Sequence, residues 1–242
     1  MGDSRFLFFS FFTSAIFPCF HLQCQQSMLD KILTIDETNF AEAVELLCNR
    51  DKDLSDVVAE HGHPPLFARQ PGFATLVHII LEQQVSLASA RATFERLKQK
   101  LEALTPELFL TLADEILRSL GFSRQKILYT RNLATAIVNN DLDLDAFEKM
   151  TDEEVILELT KLKGIGRWTA DVYLLMSLRR ADAYPIGDLG LIVGTQTVKK
   201  LLERPATAEL EAIGEGWRPF RAVATRIIWH YYLKKIRPFN NY

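Results

Sequence analysis

Apolar side chains recur every three or four residues in nearly every segment from Met28 onward, which is the period of an amphipathic helix. The sequence contains no sustained alternation of apolar and polar residues bounded by hairpin turn signals, the pattern that half-buried strands show. The spacing therefore predicts an all-α fold. With 242 residues, 48% of them apolar, the chain can bury the core of one large domain or two small ones.

Small polar residues and glycines mark several helix ends. A helix is predicted to begin at Phe73, after the break at Pro71-Gly72, and to run toward Gln83 and Gln84. Side chains that can cap free backbone amides predict four more helix starts, at Ser86, Thr105, Ser123 and Thr151. We expect two helical lobes, one of roughly residues 90–200 and one built from the N-terminal helices and the last helix.

The first 27 residues differ from the rest of the chain. Residues 6–20 form an apolar, Phe-rich run after Arg5, which has the length of a signal-peptide core and is short for a membrane span. Three interpretations are open: an export or organelle-targeting segment, a membrane-associated tail, or a start codon assigned too far upstream. We favour the last, because Met28 opens a segment of ordinary globular composition, and we expect residues 28–242 to form the fold.

The net charge of −3 argues against a protein that coats nucleic acid through a strongly basic surface. Binding to nucleic acid would have to be local, through a few well-placed donors. The three cysteines, Cys19, Cys24 and Cys48, lack the spacing of a metal-ligand cluster. The sequence therefore indicates neither a disulfide framework nor an iron-sulfur cluster.

Two glycines separate a pair of predicted helices at residues 163–166. The turn lets the backbone approach another molecule closely, and the free amides of the next helix, which opens at Arg167, favour a phosphate. Lys161 and Lys163 add positive charge at the same place. A Gly-x-Gly turn is also common at ordinary helix corners, so phosphate binding and a plain structural turn both remain open at this point.

Asp188 follows the second of these helices and is predicted to cap a helix that begins at Leu189. The helix dipole favours the ionised form of a carboxylate in this position. A helix cap is the ordinary explanation for such an Asp. The residues that surround it in the sequence favour a further role.

Residues 162–170 (LKGIGRWTA) and 185–189 (PIGDL), with Asp188 twenty residues after Trp168, resemble the signature of helix-hairpin-helix DNA glycosylases. The chain is similar to the 3-methyladenine DNA glycosylase II type, without the N-terminal β domain of the longest members or the four-cysteine cluster of some other branches. Further matches at residues 73–90, 120–126 and 217–221 extend the resemblance over nearly all of residues 60–235. It implies two helical lobes that flank a DNA-binding cleft.

The resemblance also implies roles for single residues. Asp188 would face the deoxyribose of a flipped-out nucleotide and stabilise the positive charge that develops on it. Trp168 stands where lyase-competent relatives carry a nucleophilic lysine, which implies a monofunctional enzyme, and its ring would stack on the damaged base. Core packing is the competing interpretation for Trp168. Tyr173, five residues later, is a second candidate for the base pocket, and for this residue core packing is the favoured interpretation.

Further positions would contact DNA or an ion. Gln83 and Gln84 match the loop that fills the gap left by the flipped nucleotide, with the polar end of a helix as the plain alternative. The residues expected to bind the DNA backbone are Lys163, Gly164, Ile165, Gly166, Arg167 and Thr169. The backbone carbonyls of Thr160, Leu162 and Ile165 resemble those that hold a structural monovalent cation in some hairpins. No other cofactor is implied.

We therefore expect an enzyme that hydrolytically excises alkylated purines, 3-methyladenine first, from double-stranded DNA. We expect it to act as a monomer inside the cell, without a stable membrane partner, unless residues 1–27 direct it to an organelle. Two alternatives are a noncatalytic hairpin protein that binds DNA and a glycosylase for deaminated or oxidised bases. Base specificity depends on pocket side chains from several helices, which the sequence does not specify.

Overall fold

The computed structural model describes residues 34–238, and the predicted N-terminal extension at residues 1–27 lies outside this range. Apart from one antiparallel bridge between Thr34 and Arg180, the regular elements of the described residues are helices. The all-α prediction is confirmed. Within residues 34–238, none of the helices combines the length and apolar character needed to cross a membrane.

The α-helices are numbered here in chain order. They are Phe40–Arg50 (α1), Lys52–His61 (α2), Phe73–Glu82 (α3), Leu87–Lys100 (α4), Pro106–Leu110 (α5), Asp114–Ser119 (α6), Arg124–Val138 (α7), Asp152–Thr160 (α8), Arg167–Met176 (α9), Leu189–Val198 (α10), Thr207–Glu215 (α11) and Arg221–Tyr231 (α12). A 3-10 helix at Asp145–Lys149 precedes α8, and a π-helix at Tyr232–Ile236 extends α12.

The predicted capping residues lie at the helix starts. The Thr151 hydroxyl accepts a hydrogen bond from Glu154 N, and the Glu154 carboxylate accepts one from Thr151 N at 2.8 Å, which completes a capping box. The hydroxyls of Ser86, Thr105 and Ser123 each accept from the amide three residues later. These side chains satisfy amides that have no partner inside the helix, which is why the helices begin there.

The helices pack in two sets. In the first set α3 contacts α4, α7 and α9, α7 contacts α5 and α6, and α9 contacts α8. In the second set α12 contacts α1, α2 and α10, and the π-helix packs on α10 and α12. Helix α3 thus lies with the middle helices, and α10 with the terminal ones; the lobe boundaries near residues 90 and 200 stay a prediction.

Arg226 joins the two sets. Its side chain is fully buried in α12, and it donates hydrogen bonds to the carbonyl oxygens of Leu66 (2.7 Å), Ala222 (2.9 Å) and Leu175 in α9 (2.6 Å). Burial lowers the pKa of this guanidinium to about 9. Buried donors need partners, so the bond to Leu175 holds α12 against the end of α9, and the bond to Leu66 ties α12 to the segment before α3.

Candidate active site

The Asp188 carboxylate lies at the start of α10 and within hydrogen-bond distance of Trp168 in the first turn of α9. Its Oδ1 caps α10 by accepting a hydrogen bond from Leu191 N at 2.8 Å. Two indoles donate to the same carboxylate, Trp229 Nε1 to Oδ1 at 2.8 Å and Trp168 Nε1 to Oδ2 at 3.0 Å. All three donors are neutral, so they fix the orientation of the carboxylate without cancelling its charge.

The surroundings of Asp188 also tune its protonation. Burial raises its pKa above the usual value, and the hydrogen bonds from Leu191 N and the two indoles act in the opposite direction. The space beside the carboxylate is too narrow for a side chain at Gly190, because a Cβ built on it would lie 3.1 Å from Asp188 Oδ1 and 3.3 Å from Tyr232 Cδ1. A carboxylate removed from bulk water interacts more strongly with a nearby positive charge than an exposed one does.

Gly164 and Gly166, in the turn between α8 and α9, differ in backbone conformation and in the space around them. Gly164 has φ +100°, and a Cβ built on it would lie 1.9 Å from Cγ of Tyr129, whose ring covers the turn. Gly166 has an ordinary φ of −98°, and apart from its two chain neighbours no heavy atom of the described residues lies within 4 Å of a Cβ built there. Gly164 is therefore needed for folding, whereas Gly166 leaves the turn open on its outer side.

The start of α9 can bind an anion. None of the described side chains caps this helix at Gly166, so its first amides face outward with the positive end of the helix dipole. Lys163 and Arg167 are exposed next to these amides. Arg167 is anchored by its Nε, which lies 2.9 Å from both carboxylate oxygens of the buried Asp171. Burial raises the pKa of Asp171 to about 6, against the effect of Arg167.

The loop after α3 touches the hairpin through Gln83. Its side-chain Nε2 donates to Gly164 O at 2.9 Å and to Thr169 Oγ1 at 3.0 Å. Gln84, by contrast, is exposed and has φ +56°, in the left-handed region that non-glycine residues rarely adopt. The two glutamines, paired in the sequence prediction, therefore occupy different environments.

Three predicted site residues need correction. Tyr173 is fully buried, and its hydroxyl accepts a hydrogen bond from Gly72 N at 3.0 Å, so the base-pocket prediction is wrong and the core interpretation is right. Five residues along a helix turn the side chain by about 140° away from Trp168. Thr169 is 1% exposed and its hydroxyl is bonded to Gln83, so its side chain is not presented to DNA. Ile165 is also buried, which leaves only its backbone for binding.

Trp229 and Tyr129 are site residues that the sequence did not predict. Trp229 lies in α12 with 8% of its surface exposed, and it meets Asp188 from 41 residues away. Tyr129 lies on α7 and covers Gly164. Neither position carries a local signal for these contacts; the one hint was that a buried indole N–H usually requires an acceptor.

Within residues 34–238, no three His, Cys, Asp or Glu side chains are placed to hold a metal ion together. The predicted cation ligands are backbone carbonyls at the end of α8 and in the turn. There, Ile165 N donates to Leu162 O at 3.0 Å. Thr160 is the last residue of α8, and the last carbonyls of a helix lack partners inside it. These oxygens have the right chemistry for a monovalent cation.

Comparison with known proteins gives a consistent result. The family model of HhH-GPD superfamily base excision DNA repair proteins matches residues 77–219, which include the hairpin and Asp188. A protein from Schizosaccharomyces pombe named DNA-3-methyladenine glycosylase 1 is 31% identical over 175 residues, 69% of this chain and 77% of that protein. A putative DNA-3-methyladenine glycosylase from Bacillus subtilis is 29% identical over 73% of this chain and 64% of its own length.

Two solved structures also superpose on the chain. The 3-methyladenine DNA glycosylase of Schizosaccharomyces pombe in complex with abasic DNA aligns with a TM-score of 0.75 and 28% identity, over 79% of this chain and 96% of that one. A DNA-3-methyladenine glycosidase from Bacillus halodurans aligns with a TM-score of 0.66 and 30% identity, over 80% of this chain and 90% of that one.

Proposed function

Because this chain belongs to the HhH-GPD superfamily of base excision DNA repair proteins, we propose that it is a DNA glycosylase that hydrolyses the bond between an alkylated purine, 3-methyladenine first, and its deoxyribose. The observation that carries this proposal is the Asp188 carboxylate, which two indoles hold beside the start of the hairpin helix α9. The names of the relatives and the abasic DNA bound to one of them support it.

DNA would be held through its backbone at the hairpin. The outward amides at the start of α9 bind a phosphate, and the side chains of Lys163 and Arg167 add charge there. Phosphate binding at this one site is compatible with the net negative charge of the chain, because it needs only a few donors on one face. Gln84, exposed at the tip of the loop after α3, fills the space that the flipped nucleotide leaves. We propose that the protein acts on double-stranded DNA as a monomer, inside the cell.

The chemistry follows from the charge that develops on the sugar. As the bond between C1′ and the base nitrogen breaks, its electron pair leaves with the base, and positive charge grows on the deoxyribose. The ionised carboxylate of Asp188 stabilises that charge and orients the water whose oxygen bonds to C1′. The proton that this water loses passes to the solvent. An alkylated purine that is already cationic leaves as a neutral base, so the mechanism needs no strong general acid.

Trp168 sets the course of the reaction after base release. Its indole has no amine that could form a Schiff base with C1′, so the product is an intact abasic strand. Its ring is partly exposed and held at the carboxylate, where its π face would stack on a cationic base. The carbonyls of Thr160, Leu162 and Ile165 would hold a monovalent cation that stiffens the turn and supplies no chemistry to the reaction.

The proposed activity is tested with duplexes that each carry one defined lesion. We expect release of 3-methyladenine and related N-alkyl purines, measured by chromatography of the freed base, to exceed release of hypoxanthine or 8-oxoguanine by at least about tenfold, since a cationic base leaves more readily and stacks better on an indole. Preferential release of hypoxanthine or 8-oxoguanine would instead favour the deaminated or oxidised base alternative. Binding without any release would favour the noncatalytic alternative.

Trp229→Phe tests how the indoles tune Asp188. The substitution keeps an aromatic ring but removes one hydrogen bond that lowers the pKa of this carboxylate, so the pKa rises further. Since the ionised form is the active one, the acidic limb of the rate against pH profile should move to higher pH. We expect about fivefold slower base release near neutral pH, which corresponds to one neutral hydrogen bond.

Trp217→Phe is the matched control for this experiment. Trp217 Nε1 also donates to a partly buried carboxylate, that of Asp51 at 2.7 Å, in a different part of the fold. Its removal should leave the acidic limb where it is in the wild type. An equal displacement in both variants, or none in Trp229→Phe, would show that the Trp229 indole does not tune Asp188.

A further inference from the structure

Gln83 differs from Gln84 because its side-chain amide is held by two hydrogen bonds. Both N–H groups of its amide are used, one by Gly164 O (2.9 Å) and one by Thr169 Oγ1 (3.0 Å). Gly164 lies in the hairpin turn, and the buried Thr169 lies in the first turn of α9. The Gln83 side chain, which belongs to neither α8 nor α9, therefore binds both the turn and the helix that follows it. A side chain held in this way is not free to enter a DNA duplex.

We infer that Gln83 is a positioning residue that links the loop carrying Gln84 to the phosphate-binding hairpin, so that the loop and the hairpin engage DNA as one unit. This inference rests on the proposed function, since it concerns how the gap-filling residue is aimed. Gln84 follows Gln83 directly and has φ +56°. A non-glycine residue in the left-handed region is under strain, and it keeps that conformation only where its neighbours are fixed.

Helix α7 reinforces the same junction from the other side. Lys126 Nζ donates to Leu81 O at 2.6 Å, where the last carbonyls of α3 would otherwise lack partners. Three residues later on α7, the ring of Tyr129 covers Gly164. The end of α3 and the hairpin turn thus both contact α7. Gln83 links the α3 loop and the hairpin turn directly.

This geometry couples two events on DNA. The Gly164 carbonyl and the Thr169 hydroxyl hold the Gln83 amide, so a phosphate docked at the start of α9 and the backbone of Gln84 are fixed relative to each other. Without the two Gln83 hydrogen bonds, the hairpin still binds phosphate, but the Gln84 side chain is no longer directed toward the duplex. Loss of these bonds should therefore impair nucleotide flipping more than it impairs DNA binding.

The test compares Gln83→Leu in two backgrounds, the wild type and Gln84→Ala. Leucine has a similar size but donates no hydrogen bond. In the wild-type background we expect flipping, read from the fluorescence of 2-aminopurine next to the lesion, and single-turnover base release to fall about tenfold, with the Kd for undamaged duplex changed less than about twofold. In the Gln84→Ala background the same substitution should have less than about a twofold further effect, because its target is gone.

Gln125→Leu is the control. The Gln125 amide donates to the Tyr129 hydroxyl on α7 and does not bridge to the α3 loop, so flipping should match the wild type. If Gln83→Leu lowers flipping by the same factor in both backgrounds, Gln83 contacts DNA by itself and the inference is wrong; unchanged flipping would also overturn it. If the wild type flips the nucleotide but releases no base, the proposed activity fails while the fluorescence comparison still decides the role of Gln83.

Discussion

Asp188→Asn should release an alkylated base about 100- to 1,000-fold more slowly than the wild type, because the negative charge beside the developing sugar cation is lost. Asparagine has nearly the same shape and is an equally good helix cap, so α10 should still begin at Leu189. One indole loses its acceptor in the variant, which costs about 1 kcal/mol of stability and leaves the fold intact. The measurement is single-turnover release from a duplex with one alkylated purine, together with the thermal midpoint.

Asp51→Asn provides the matched control. Asp51 also caps a helix and also accepts an indole hydrogen bond, from Trp217, but it pairs with Lys199 away from the hairpin. The control should lower thermal stability without changing the rate of base release from the folded protein. Equal rates for the wild type and Asp188→Asn would refute the catalytic role of this carboxylate.

Gly164→Ala should destabilise the protein by about 3 kcal/mol or more, because the new methyl group meets the Tyr129 ring at 1.9 Å and the residue must keep φ +100°. For a chain of this size, the thermal midpoint would fall by about 10 °C. Gly166→Ala should change stability by less than about 1 kcal/mol, since its φ is ordinary and the space around it is open.

The two glycine variants separate folding from DNA binding. In Gly166→Ala the methyl group would stand between a phosphate and the first amides of α9, so affinity for duplex DNA should fall about tenfold although the protein is folded. The measurements are thermal midpoints and Kd values at fixed ionic strength. A stable Gly164→Ala protein would contradict the packing described for Tyr129, and an unchanged Kd for Gly166→Ala would contradict phosphate binding at this turn.

Local chemistry explains the parts of the fold that were predictable. The hydroxyls of Ser86, Thr105, Ser123 and Thr151 satisfy amides only three residues away, so the sequence alone shows where those helices begin. The hairpin turn and the cap at Asp188 are local in the same sense. The helical period correctly predicted the class, because each helix needs one apolar face for the core.

The remaining features depend on contacts between distant segments. Trp229 reaches Asp188 only because Arg226 and the core hold α12 against α9 and α10, and no short-range pattern encodes that meeting. Gln83 and Gln84 were assigned together because both match the gap-filling loop of the family. The turn of the backbone after α3 sends Gln83 toward the hairpin and leaves Gln84 exposed. Tyr173 was considered for the base pocket as a neighbour of Trp168, whereas the helix rotation directs it to the core.

The most direct test measures whether Asp188 recognises positive charge on the sugar. Two duplexes differ only at one abasic position, where one carries a cationic pyrrolidine ring and the other a neutral tetrahydrofuran ring. We predict that the wild type binds the cationic duplex at least about tenfold more tightly, and that Asp188→Asn binds the two with equal affinity. A wild type without this preference, or an Asp188→Asn variant that keeps it in full, would contradict the account.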